Sequence, residues 1–245
     1  MMLYRSDPLR KQVYDYLRGL LTSGRLKGGD FINQAELTAK LGISRTPLRD
    51  SLIQLEAEGF VSIIPSKGVR INPLTCDDIK NTYQIYGALE ATAFESVFGL
   101  VTEEKLKELD ELTCKTEALM NKGDFGMCYE NNVAFHEAIL ALCDNEELLK
   151  MLRRSRQRLY HFPGVLTPDL STAAADLASW ERGYWAQHHK IIDLFRSGTA
   201  QEVADYIRYV HWDFHGVEDR ILLFYGLEGG PRGDRLIKDC WPESV

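Results

Sequence analysis

The sequence predicts a mainly α-helical protein. Residues 1–74 read as a winged helix-turn-helix, three helices followed by a β-hairpin, and residues 75–245 as an all-α bundle of six or seven helices. Two observations carry this. Strand-like alternation is confined to one stretch before Asn72, whereas apolar residues beyond Thr75 recur at spacings of three and four. Charge divides at the same place. The first 74 residues hold eleven Lys and Arg against seven acidic residues, a net of +4; the remainder holds 18 against 29, a net of −11. A basic head on an acidic body is expected where one domain meets a polyanion and the other does not.

In the head, Leu9, Val13, Tyr16, Leu17, Leu20 and Leu21 form one helical face from about Pro8 to Ser23, which Ser23-Gly24 ends. Asn33 is placed to cap a second helix, with Glu36 completing a capping box and Leu37 and Leu41 as its inward side. Gly42 supplies a sharp turn. Ser44 is placed to cap a third helix reaching about Glu58, with Pro47 in the first turn, where no N–H is needed, and Leu48, Leu52, Leu55 and Ile53 as its stripe. Phe60 to Ile64, the Pro65-Ser66-Lys67-Gly68 turn and Val69 to Ile71 form the hairpin.

The second helix of such a pair enters the major groove by its N-terminal end. Here that end is Ser44-Arg45-Thr46-Pro47-Leu48-Arg49. Arg45 and Arg49, four apart, leave one face and suit bidentate bonding to guanine or phosphate. Ser44, Thr46 and the free first-turn N–H groups suit phosphate oxygens. Lys67 and Gly68 form the wing tip.

The body is expected to hold helices from Thr75 or Asp77 to Leu100, from Thr102, from an Asp124 cap to Cys143, from Glu146 to Leu159, from Thr172 to Arg196, and from Ala200 to Tyr225. His161 to Gly164 is a break, and the tail from Gly226 is Gly-, Pro- and charge-rich. Three histidines on three of these helices, His136, His188 and His211, lie near apolar stripes. Imidazoles so placed serve either as hydrogen-bonded core residues or as ligands to zinc, nickel or a similar ion.

Several classes are excluded. The longest apolar runs, Ala138–Cys143 and Ile221–Tyr225, are far shorter than a membrane span, and the opening residues have no secretory pattern. Five dispersed cysteines without a Cys-x-x-Cys pair read as reduced thiols, and a cytoplasmic location is expected. A metal-dependent hydrolase using the three histidines is an alternative, but no His-Glu-x-x-His or comparable motif is present.

Residues 10–72 resemble the DNA-binding domain of GntR-type transcription regulators. The resemblance rests on Ser23 to Leu26, on the long run Ala35 to Leu52 that includes Leu41-Gly42-Ile43-Ser44-Arg45-Thr46-Pro47-Leu48-Arg49, on Leu55 to Val61, and on Lys67-Gly68-Val69. Where some relatives have a DNA-contacting arginine before the Glu-Leu of the second helix, this chain has Ala35. Residues 75–225 resemble the FCD effector domain of the FadR branch, through Asn132 to Leu140, Asp144 to Leu148, Gln187 to Ile192 and Val210-His211-Trp212. In metal-binding members an Asp and three His hold a divalent ion. The resemblance places His136, His188 and His211 at the His positions and Asn132 at the Asp position. The stretch from Gly198 to His211 is one residue longer than the family pattern, so His215 is the substitute if the frame slips. Tyr86 stands where an arginine is often found. The resemblance implies a homodimer that reads a pseudo-palindromic operator and senses a small organic acid through a bound zinc or nickel, with Tyr86, Asn132 and Arg156 as effector contacts. The alternative it offers is a metal-free or acyl-CoA-sensing regulator.

Overall fold

The computed structural model describes residues 8–22, 25–26, 28–73, 75–124, 127–160, 170–215 and 218. They divide into two compact units. One takes in residues up to Ile79 together with 156–160; the other takes in 80–155, 170–215 and 218.

The first unit contains α1 (Leu9–Thr22), β1 (Phe31–Ile32), α2 (Gln34–Leu41), α3 (Arg45–Ala57), β2 (Val61–Ile64) and β3 (Gly68–Ile71). Val13 and Leu17 of α1 and Leu48, Leu52 and Leu55 of α3 bury their side chains, and Phe60, Val61, Val69 and Ile71 add the floor of the same core. Ser51 is fully buried on the α3 side, and its hydroxyl reaches the Arg10 and Pro47 carbonyls at 2.9 and 2.8 Å. The hairpin pairs Ser62 with Arg70 and Ile63 with Val69. A strand that the pattern did not show, β1, adds to the far edge of β3, giving the antiparallel order β1-β3-β2. At two residues it is too short to display alternation.

Three local expectations are corrected here, while the Asn33 cap and the Gly42 turn stand. Asn33 caps α2 by accepting from the Glu36 N–H at 3.1 Å, but Leu37 and Leu41 are only half-buried. Gly42, at φ 66°, supplies the left-handed C-cap that turns the chain into α3. Ser44 occupies the N-cap of α3 without making a side-chain capping bond. Ile53 is 47% exposed and is not part of the stripe.

The second unit is helical among its described residues. After α4 (Cys76–Val97) and a short 3-10 turn at Phe98–Leu100 come α5 (Glu103–Asn121), α6 (Cys128–Leu140), α7 (Glu146–Tyr160), α8 (Leu170–Ser197) and α9 (Ala200–Tyr206). Thr102 caps α5 through the Lys105 N–H, and Thr199 with Glu202 forms a reciprocal capping box on α9. α6 starts at Cys128 behind Met127, so Asp124 is not its cap. The core is Phe94 of α4, Phe135 and Ile139 of α6, Trp185, Ile191 and Ile192 of α8, and Val203 of α9. The segment expected as one helix from Ala200 to Tyr225 instead passes at Ile207–His211 into a π-type turn, in which the Trp212 N–H bonds the Ile207 carbonyl five residues back at 3.0 Å. His161 to Gly164 and the tail from Gly226 lie outside the described residues.

Gly87 is required by a close approach. A Cβ there would stand 2.8 Å from the Trp212 Cβ. Gly87→Ala is therefore expected to cost about 1–3 kcal/mol through overpacking, and Leu52→Ala about 2–5 kcal/mol through a core cavity. Urea unfolding of each variant against the parent checks both. Full parental stability in either variant contradicts the packing described.

Candidate functional site

Two constellations stand out, one in each unit. In the first, the amino end of α3 faces outward. Ser44, Arg45, Thr46 and Arg49 are all exposed. Because Ser44 spends no side-chain bond on capping, its hydroxyl and the N–H groups of the first turn stay available to an anion. Lys67 is exposed at the hairpin turn, between Ser66 at φ 61° and Gly68 at φ 103°. That turn is closed by the Lys67 N–H on the Ile64 carbonyl at 3.0 Å.

In the second unit, His136 of α6, His188 of α8 and His211 of the π-type turn are all buried, and one ring nitrogen from each lies within 4.8 Å of the others. His211 Nε2 is 3.1 Å from His136 Nε2, and His188 Nε2 is 2.9 Å from Asn132 Oδ1. His211 lies in the π-type turn, and it is the His211 ring that reaches the cluster. His215 is exposed.

The outer partners orient these rings. His211 Nδ1 meets Gln187 Oε1 at 2.9 Å, which places the Nδ1 proton outward and the Nε2 lone pair inward. His136 Nδ1 stands 3.0 Å from Oε1 of the fully buried Glu90, an ion-pair distance that the ring N–H does not point along directly. The other Glu90 oxygen accepts from Trp212 Nε1 at 2.6 Å. A carboxylate beside Nδ1 favours the proton there, again leaving the Nε2 lone pair inward. Two Nε2 lone pairs facing each other at 3.1 Å repel unless a proton or a cation lies between them. Burial, followed by the neighbouring His136, holds His188 and His211 well below the usual histidine range, so both stay neutral and able to donate electron pairs near pH 7. Three imidazoles and an amide oxygen are a donor set that suits zinc, nickel or a similar divalent ion.

Aromatic rings close the surroundings. Trp185 stacks on His188 at 4.5 Å between centroids, Phe135 meets the same ring edge-on at 4.4 Å, and Phe94 lies parallel to His136 at 6.1 Å. Tyr184 Oη is 3.0 Å from His211 Nε2. Tyr86 is buried against Trp212 at 4.4 Å, while Arg156 is half-buried on α7 and groups with the first unit.

Glu90, Tyr184, Gln187 and Trp212 were not singled out from the sequence. Glu90 had a signal, since it occupies the inward stripe of Tyr83, Tyr86 and Phe94 at helical spacing, where a carboxylate must have a partner. Tyr184 and Gln187 lie four and one residues before His188 on the same helix.

Residues 9–71 match the gntR family of bacterial regulatory proteins, and residues 81–210 match the FCD domain. The HTH-type transcriptional regulator YdhC of Bacillus subtilis is 30% identical over 165 residues, covering 67% of this chain and 73% of that protein. The Nta operon transcriptional regulator of Aminobacter aminovorans is 29% identical over 142 residues, covering 57% and 66%. The solved structure of Escherichia coli McbR/YncC superposes with a TM-score of 0.60 at 22% identity, covering 90% of this chain and 98% of that one. The two sequence relatives are transcriptional regulators, which leaves the hydrolase reading without support. The outward Arg45–Arg49 helix end and the histidine cluster thus sit in domains of known kind, and the chain belongs to the GntR family as a transcriptional regulator with an FCD domain.

Proposed function

We propose that this regulator holds a divalent metal through His136, His188, His211 and Asn132, senses a small organic acid there, and changes its grip on operator DNA in response. The observation that carries the reading is the pair of inward Nε2 atoms 3.1 Å apart, each with its outer nitrogen turned to Gln187 or Glu90. Bound there, the ion would supply a Lewis-acidic point for a carboxylate oxygen. The Tyr184 hydroxyl stands beside His211 and can donate to the same ligand, and Tyr86 is the further effector contact we assign within this unit. Asn132 brings no charge, so the four direct ligands are neutral and Glu90 is the carboxylate that balances the ion from one bond farther out.

On the DNA side, Arg45 and Arg49 read base edges or phosphates, Ser44 and Thr46 fix the phosphate backbone, and Lys67 and Gly68 bring the wing to the neighbouring backbone or minor groove. Two copies would read half-sites about one helical turn apart on a pseudo-palindrome. An effector that binds one arrangement of the two heads better than another shifts the population toward it, and operator affinity moves by the same free energy.

Three outcomes test this. Arg45→Ala and Arg49→Ala are each expected to weaken operator binding roughly 10- to 100-fold, the scale of about 1–3 kcal/mol for a bidentate base contact, with an unchanged circular dichroism spectrum. Affinity should also fall steeply with salt. Gel-shift titrations on an operator selected from genomic fragments measure both, and unaltered affinity in the two variants refutes the recognition-helix assignment. Tag-free protein should hold one zinc or nickel per chain by elemental analysis. His188→Ala should lose it, and Asn132→Asp should bind it more tightly. A metal-free preparation that still shifts operator affinity with organic acids would replace the metal reading by a metal-free sensor.

A further inference from the structure

A second group of metal-ligating side chains lies outside the histidine cluster. On α5, Asp110, Cys114 and Glu117 follow one another at spacings of four and three and so share a face. That face meets α8, where His189 follows His188 and is turned by about 100° from it around the helix. His188 therefore points into the core while His189 points at α5. His189 Nδ1 is 3.2 Å from Asp110 Oδ1, and His189 Nε2 is 3.2 Å from Glu117 Oε2. One donor atom from each of Asp110, Cys114 and His189 lies within 4.8 Å of the others.

We propose that Asp110, Cys114 and His189 form a second divalent-cation site of zinc type, which clips α5 to α8 on the surface of the helical unit. Three observations support it. Two donors about 2.0–2.2 Å from a tetrahedral zinc stand roughly 3.3 Å apart, and the Asp110–His189 pair already has that separation. Glu117 Oε2 stands at the opposite ring nitrogen, so that with a cation on the Nδ1 side it would accept from the Nε2 N–H, the carboxylate–histidine–metal arrangement of zinc proteins. Cys114 is exposed, so its thiol can swing to close the remaining distance, and the fourth position stays open to water. Partial desolvation, and after it the charges of Asp110 and Glu117, push the Cys114 thiol up. On binding, sulfur ligates as thiolate and its proton passes to solvent. The site is independent of the histidine cluster, sharing no ligand with it.

Cobalt(II) reports this directly, because a thiolate ligand gives a near-ultraviolet sulfur-to-cobalt charge-transfer band that nitrogen and oxygen ligands do not. Full-length, tag-free protein stripped of metal and titrated with cobalt(II) under reducing conditions is expected to develop this band. The band should be absent in Cys114→Ser and retained in His136→Ala. Asp110→Asn and His189→Gln should weaken the binding that produces it by roughly tenfold or more, and Glu117→Gln by roughly tenfold. The proposal is overturned if no band develops, if the band survives in Cys114→Ser, or if Asp110→Asn and His189→Gln leave it unchanged. Loss of the band in a His136→Ala protein whose circular dichroism spectrum is unchanged would also overturn it.

Discussion

The second unit is organised around a polar centre in an apolar interior. Glu90, His136, His188 and His211 are all withdrawn from water, and each would cost several kcal/mol if left without a partner there. The surrounding helices meet that demand in turn. Trp212 serves one oxygen of Glu90, His136 lies beside the other, Gln187 serves His211 and Asn132 serves His188. Each of these bonds joins residues far apart in sequence, so the network sets how α4, α6, α8 and the π-type turn stand against one another. Gly87 belongs to the same constraint, since a side chain there would push Trp212 away from Glu90.

The first unit follows a different logic. Its described interior is largely apolar, and the hydroxyl of the buried Ser51 is engaged by backbone carbonyls. Its polar chemistry lies outside, at the start of α3 and at the hairpin turn. The scaffold holds those groups in place but does not depend on them. This separation is why Arg45 and Arg49 can be exchanged without disturbing the core beneath them, whereas Leu48 and Leu52, one turn away, cannot.

Much of this was legible in the sequence where periodicity carries the information. Leu48, Leu52 and Leu55 mark the buried side of α3, and the Gly42 and Lys67-Gly68 turns are marked by residues with a local conformational reason to be there. His136, His188 and His211 were marked by their positions on apolar stripes. The errors arose where tertiary contacts overrule local preference. Ser44 has the chemistry of a cap but makes no capping bond, and Asp124 lies too far ahead of α6 to cap it. β1 exists only because β3 offers it an edge. Glu90 went unrecognised because its partners, His136 and Trp212, are 46 and 122 residues away. The frame of His211 depends on a backbone bond from Trp212 to Ile207, which no side-chain pattern encodes.

The neighbours of the histidine cluster have an optical consequence. Of the four tryptophans in the chain, Trp185 lies face to face with the His188 ring and Trp212 is hydrogen-bonded to Glu90 beside His136. Indole emission responds to nearby protonated imidazole and to the polarity around its N–H. The molecule therefore contains its own fluorophores at the proposed metal site, and titrations of that site can be followed without attaching a dye.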